Sequence, residues 1–451
     1  MKSSDNETLI PKRVLSSLLT SVSAGVVPRK GAHYIAIGRE KEIAALSADL
    51  DNAAEGGCST RFIIGRYGSG KSFLMQLIRE TALDRGFLVC DADLSPDRKL
   101  FGSSGAGAAT YRELIRNMSS RTCPDGNALS RIISSFFAGI GSQAAESGLS
   151  PGTEEFNEHV RSRIYKVIRE TEDSVGGFDF ASVLSYYYKA HEDDDDEKKS
   201  AALRWLRGEY STKTEARNAM GIPVSSIIFD DNWYDYIKLL ASFARKIGFS
   251  GLLVLIDECV NLFKIPNRIS REGNYEKILS IFNDTLGGRA PGLVFIFGGT
   301  PEFLEDTRRG LFSYEALRSR LSEGAFLGKN YTNLLTPLIR LRPLSDNELL
   351  ALITRLSILH KQYYPDSASI SGEQRIAFLE VELSRMGANV MITPREVIRD
   401  YLEILDILMQ DETASFDQLL KSIAPAESKA GTEKNNVVEK KAGVDLTDFD
   451  L

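Results

Sequence analysis

Cysteine, histidine and tryptophan are all scarce in this 451-residue chain, which holds four, four and two of them. The cysteines (Cys58, Cys90, Cys123, Cys259) show no C-x-x-C spacing and the histidines are scattered, so neither a zinc site nor a disulfide framework is expected. No apolar run approaches the ~20 residues a bilayer-spanning helix needs, which excludes a helical membrane anchor. The opening MKSSDNETLIPKR lacks a signal-peptide core, and a cytoplasmic location is the expectation. Excess positive charge is missing too. A net charge of −7 argues against a broadly basic nucleic-acid surface, although an uneven distribution leaves room for a local positive channel. What remains, 43% hydrophobic and 26% charged, is an ordinary globular composition on a chain long enough for two or three domains.

Against that background one stretch stands out, Arg61 to Leu74, RFIIGRYGSGKSFL. An apolar run, Phe62 to Ile64, breaks at Gly65 into a glycine-bearing loop, and Lys71-Ser72 then begins an apolar-periodic segment. This is the full G-x-x-x-x-G-K-[ST] pattern in a strand–loop–helix context. Gly68 and Gly70 let the backbone wrap closely enough for several N–H groups to face phosphate oxygens, and the new helix adds its positive end. Lys71 neutralises charge on the β- and γ-phosphates, and Ser72 offers a hydroxyl to Mg²⁺. Gly65, Gly68, Ser69, Gly70, Lys71, Ser72 and Phe73 are therefore the candidate ATP contacts in this loop.

A second stretch completes the chemistry. Gly251 to Glu258, GLLVLIDE, is an uninterrupted aliphatic run ending in two acids, the pattern of a strand buried on both faces of a sheet. Asp257 at the strand's end is placed to hold the hydration shell of Mg²⁺, and Glu258 to orient and deprotonate an attacking water. Acids here also suit a helix start, but the upstream loop favours the catalytic reading. Hydrolysis, beyond binding, is expected.

The rest of the chain falls into segments around these two. Residues 10–24 read as a short amphipathic helix bracing the first part of the core, which closes at residue 96 after a buried strand over Gly86–Ala92. Residues 97–225 do not alternate strand with helix and read as a helical insertion. Its acidic run, His191 to Glu197, reads as a solvated loop, since consecutive aspartates converge poorly on a metal; Trp205 reads as core. Residues 226–338 return to the core pattern, with helices over 233–247 and 275–286 and a buried strand over 293–297. From 339 to 423 a short strand gives way to helices. Ser345 with Glu348 forms a capping box, and Thr393 with Pro394 opens the last long helix. Residues 424–451 are a polar linker and an acidic-apolar tail, either frayed or a short peptide for docking.

Placed before such a loop, Ile35-Ala36-Ile37-Gly38-Arg39-Glu40 resembles the I-G-R-E box of AAA+ ATPases of the origin-recognition/Cdc6 and STAND type. The resemblance implies an α/β fold: a P-loop AAA+ three-layer sandwich with a parallel central sheet, here with the helical insertion and a C-terminal helical lid. It makes Ile35 and Ile37 candidate adenine contacts, with a plain core role as the alternative. Thr300, after the 293–297 strand, is the candidate γ-phosphate sensor or else a helix cap. Arg318 and Arg320 are candidate fingers for a neighbouring subunit's ATP, or else surface ion-pair partners. Arg395 is the candidate lid arginine.

A wider set of markers is more specific: GRYGSGKS, WLRGE, GLLVLIDE, NYEKILSIFND, FGGTPEFLED, SYEALRSRL and TPREVIRDYLEIL. Together they resemble the ATP-binding proteins of BREX-type bacteriophage-defence systems, the BrxC/BrxD group, in its short BrxD-like form. What this implies is an ATP-hydrolysing homo-oligomer acting beside other defence proteins, such as a helicase or a methyltransferase, with DNA as a further partner. The alternative is a non-motor switch or scaffold that holds ATP with little turnover. No winged-helix pattern follows the lid, which counts against autonomous DNA binding.

Overall fold

A computed structural model describes residues 10–102, 104–172, 175–322, 333–385 and 393–423; the expected linker and tail over 424–451 lie outside them. In chain order the elements are α1 (Lys12–Ser23), α2 (Glu40–Ala54), β1 (Ser59–Ile64), α3 (Lys71–Asp84), β2 (Leu88–Asp93), α4 (Ala106–Arg116), α5 (Leu129–Glu146), α6 (Glu154–Arg169), α7 (Gly177–Glu192), α8 (Asp196–Leu206) and α9 (Lys213–Met220). There follow α10 (Trp233–Lys246), β3 (Leu252–Asp257), α11 (Val260–Phe263), α12 (Arg268–Leu286), β4 (Leu293–Gly299), α13 (Pro301–Glu305), α14 (Glu315–Leu321), β5 (Leu338–Arg340), α15 (Asp346–Tyr363), α16 (Gly372–Arg385), α17 (Pro394–Gln410) and α18 (Phe416–Ile423). They form two compact units. A sheet unit takes the described residues of 41–67 and 74–341, and a helical unit takes those of 10–40, 68–73 and 342–423.

The sheet unit is the expected α/β sandwich. Its five strands are all parallel, in the order β2-β3-β4-β1-β5. Side chains alternate across the pleat, so each strand feeds two cores. Phe62, Ile64, Cys90, Val254, Ile256, Phe295 and Phe297 face a large cluster shared with α4, α5, α7, α10 and α12. Ile63, Val89, Leu253, Leu255, Val294, Ile296 and Ile339 face a smaller one completed by Leu46 and Leu50 of α2 and Leu74, Met75 and Ile78 of α3. Burial on both faces is why β3 and β4 read as unbroken aliphatic and aromatic runs.

Among the described residues between β2 and α10 the regular elements are helices α4–α9, and the one pairing to the sheet is an isolated bridge from Ser119 to Val89 of β2. Trp205 is 1% exposed and its indole N–H donates to Ser226 O at 3.1 Å, so it is core as expected. The acidic run is less of a loop than its composition implies. It ends α7 and begins α8, with Asp195 accepting from Lys198 N at 3.0 Å as N-cap. One helix is longer than its pattern: α12 begins at Arg268, capped by Asn267, rather than near Tyr275. Gly273 interrupts the pattern there for a packing reason, because a Cβ would stand 2.8 Å from the Phe101 ring.

The helical unit gathers α1, α15, α16 and α17 around Leu15, Leu18, Ile353, Leu356, Phe378, Val397 and Tyr401. The N-terminal helix, expected to brace the first part of the core, thus packs with the C-terminal helices. Among the described residues no helix is long and apolar enough to cross a membrane.

Candidate nucleotide site

The sheet's carboxyl edge brings two of the predicted pieces to one side of the fold. β1 ends at Ile64 and runs into the glycine loop, and β3 ends at Asp257; a single strand, β4, separates them. The start of the loop is tied to that edge, since Gly65 N–H donates to Gly299 O at 3.1 Å.

At the end of β3 the backbone departs from regular structure. Glu258 sits at φ +57°, a left-handed conformation that a non-glycine residue adopts at a cost of about 1–3 kcal/mol, and such strain gathers at functional sites. Its N–H donates to Asp257 Oδ1 at 2.8 Å, which turns the Asp257 carboxylate while the Glu258 side chain projects to the exterior. Asp257 is 9% exposed and lies across Gly298 of β4, where a Cβ would stand 2.4 Å from Asp257 Oδ1. Only glycine at 298 leaves the carboxylate that room. Asp93, the register partner of Asp257 on β2, joins them. Its carboxyl is held above the usual range by loss of solvent and by repulsion from Asp257, Asp91 and Glu258, with Arg98 opposing. Asp93 was not among the residues singled out from the sequence, although a strand ending in Asp-Ala-Asp carried the signal.

β4 leads to Thr300, which caps α13: its hydroxyl accepts from Phe303 N at 3.4 Å, with Pro301 at the first helical position. The capping alternative is therefore realised. Arg318 and Arg320 lie on α14, whose Leu317 and Leu321 are buried while both arginines are exposed. Arg320 donates to Ala316 O at 2.8 Å. The Arg318 guanidinium has no partner among the described residues.

The second half of the loop belongs to the helical unit. Gly68 and Gly70 sit at φ +78° and +92°, the left-handed turns that line successive N–H groups along a concave nest. Ser69 Oγ is shielded from solvent and has no hydrogen-bond partner among the described residues, an orphaned polar atom within the loop expected to wrap phosphate. Lys71, half-buried, opens α3, and Ser72, exposed, follows it; Phe73 packs against the helical unit's core.

Two contacts here escape sequence reading. Arg39, 3% exposed, donates from Nη2 to Ser69 O and to Arg342 O, each at 3.0 Å. Thr393, the N-cap of α17, stands against Gly68, where a Cβ would lie 2.6 Å from its Cγ2. Glu348 extends the set. Arg342 donates to both of its oxygens at 2.5 and 2.6 Å, and those bonds, with help from Ser345, hold its pKa down at about 2. The same carboxylate crowds Gly38, where a Cβ would meet Oε1 at 2.5 Å. The I-G-R-E box, Gly68 and Ser69 of the glycine loop and the caps of α15 and α17 are thus one packed network within the helical unit.

The remaining predicted residues have definite places. Ile35, 4% exposed, is part of the helical unit's core, which is the plain alternative to an adenine contact; Ile37 is half-buried at its margin. Arg395 is exposed in the first turn of α17, with its stem over Gly25 at the end of α1.

The left-handed Gly68 and Gly70 and the orphaned Ser69 Oγ between them fit a loop that takes phosphate oxygens. No group of three or more His, Cys, Asp and Glu side chains among the described residues is arranged to hold a metal ion by itself. The sequence matches the family described as BREX system ATP-binding protein BrxC/D over residues 10–424. No curated protein matches it.

Proposed function

The chain belongs to the BREX system ATP-binding protein BrxC/D family, and on that premise we propose that it hydrolyses the ATP it binds, as an AAA+ oligomer in phage defence. The observation that carries the reading is the strained Asp257–Glu258 turn on the same sheet edge as the glycine loop, one strand away. Backbone N–H groups of residues 68–72 and the Lys71 ammonium hold the phosphates. Ser72 and Asp257 are the residues that would hold Mg²⁺, which supplies charge neutralisation on the β- and γ-oxygens. Glu258 takes the proton of the attacking water, and Thr300 steadies the γ-phosphate from its place beyond β4. Arg318 rather than Arg320 is the finger offered to a neighbouring subunit, because its guanidinium has no partner among the described residues while that of Arg320 donates to Ala316 O. The partners are other BREX components, among them a helicase or a methyltransferase. DNA is a conditional partner whose binding would fall steeply with salt.

A specific observation also favours the alternative, a nucleotide-gated switch. Thr393 and Arg39 couple the glycine loop to the caps of α17 and α15, so nucleotide in the loop is felt by the helical unit whether or not it is hydrolysed. Turnover measured against protein concentration, with light scattering on the same samples, separates the two. The motor reading expects turnover per chain to rise as the particle grows. A monomer that keeps nucleotide with negligible turnover selects the switch.

A further inference from the structure

We propose that the helical insertion carries a second anion site, for a small phosphate-bearing ligand, in a half-open cavity walled by Arg98, Arg112, Arg116 and Arg207. The cavity has a volume of about 480 Å³, within the range of small-molecule sites. Three separate segments build it. Arg98 lies on the loop after β2, Arg112 and Arg116 stand one turn apart on α4, and Arg207 caps the C-terminus of α8.

The segment Trp205 to Glu209, one of the distinctive sequence markers, is what brings Arg207 there. Trp205 is buried, Tyr111 OH donates to Leu206 O at 2.8 Å, and Arg112 donates to Gly208 O at 3.2 Å. Gly208, at φ +70°, turns the chain tightly against α4; a Cβ there would stand 3.1 Å from the Tyr111 ring.

The charges in the cavity do not cancel. Glu113 is divided between Arg98 at 3.3 Å and Arg116 at 3.7 Å. Glu209 also lines the wall but leans toward Arg204, 3.9 Å away. Arg207 has no ion-pair partner among the described residues. Within the cavity wall four guanidiniums face two carboxylates, a surplus of two positive charges, with Asp93 beyond the wall as a further carboxylate near Arg98. In addition, Arg98 Nε is shielded from solvent and finds no acceptor among the described residues. A buried donor without an acceptor is costly, and planar guanidinium forks match the oxygens of a phosphate group. The surplus is that of one phosphate dianion, and it is confined to a cavity on a chain of net charge −7, which favours a small ligand over a polymer.

The test uses the full chain carrying Lys71→Ala, so that the glycine loop is disabled, titrated with inorganic pyrophosphate in a calorimeter at low ionic strength. One site per chain is expected. Affinity should fall at least about tenfold on adding Arg207→Ala, fall less with Arg207→Lys, and stay unchanged with Arg163→Ala on the exposed face of α6. Among the described residues the Arg207 side chain makes no hydrogen bond, so matching melting curves are expected for all four proteins. Unaltered pyrophosphate affinity in the Arg207→Ala protein, or no binding by its parent, overturns the site. Oligo-dT that binds more tightly with each added nucleotide, and loses that affinity with Arg207→Ala, overturns the small-ligand assignment in favour of a strand backbone.

Discussion

Thr393 rests against Gly68: a Cβ added at Gly68 would stand 2.6 Å from Thr393 Cγ2 and 2.8 Å from its Cβ. The first residue of a helix cap therefore closes directly on the second glycine of the phosphate loop. Gly68 is required twice, by its left-handed φ of +78° and by this contact. Gly68→Ala is expected to abolish ATP binding, measured by calorimetry, and Thr393→Ser in the same chain should restore only part of it, since the Thr393 Cβ remains. Thr393→Ser alone keeps the cap and should be near neutral. Thr393→Ala loses the cap, at about 0.5–2 kcal/mol, read by chemical denaturation.

Arg39 holds the other side of the loop. Arg39→Ala leaves the Ser69 and Arg342 carbonyls without their donor, at a cost of about 1–3 kcal/mol for each that water does not reach. The expected result is ATP affinity reduced by at least about tenfold, with Arg39→Lys intermediate because one ammonium does not reproduce the fork.

The carboxylates at the sheet edge give a charge prediction. The folded pKa of Asp93 is raised, so the ionised group costs stability; the cost grows as pH rises through the unfolded value of 3.8 and is complete above the folded one. Asp93→Asn should raise the melting temperature at neutral pH without Mg²⁺, by no more than the ~1 kcal/mol of a solvent-screened charge pair. The gain should vanish at low pH, and shrink when Mg²⁺ and ATP occupy the site.

Glu348 behaves in the opposite sense. Its pKa falls from 4.5 to about 2 on folding, so its stabilisation is full above pH 4.5 and is lost as pH falls toward 2. Glu348→Gln should be less stable than the native chain at pH 7, and the gap should close between those limits. Melting curves of both proteins at pH 7, 4 and 3 read it directly.

What was readable in the sequence was whatever rests on neighbours in the chain or on burial from both faces. The glycine loop declares itself because phosphate wrapping dictates glycines at fixed spacing. β3 and β4 declare themselves because a central parallel strand has no polar face. Thr300 was legible as a cap, since Pro301 follows it. What was not readable depends on residues far apart in the chain. Arg39 and Arg342 are 303 positions apart, and nothing local marks Arg39 as buried rather than solvated. Ile35 and Ile37 share one short pattern, yet packing buries only the first. The acidic run looked like a loop because its composition is polar, and pairing of Asp194 and Asp196 with Lys199 let it join helix ends instead. Asp93 acquires interest only once β2 lies beside β3.

Arg318 and Arg320 separate by mixing. If Arg318 completes a neighbour's site, Arg318→Ala should lower turnover by about 10³-fold or more with ATP binding retained, and Arg320→Ala by far less. Mixing Arg318→Ala with Glu258→Gln should recover part of the activity, because some interfaces then hold both native residues.

The central claim is that one site both binds ATP and hydrolyses it through Glu258. The direct measurement is ATP affinity and steady-state turnover for the native chain, Lys71→Ala and Glu258→Gln, at one protein concentration. The account predicts that Glu258→Gln binds ATP about as tightly as the native chain while turnover falls about 10²–10⁴-fold, and that Lys71→Ala loses both. Native turnover undiminished in Glu258→Gln, or a native chain that binds no ATP, would contradict it.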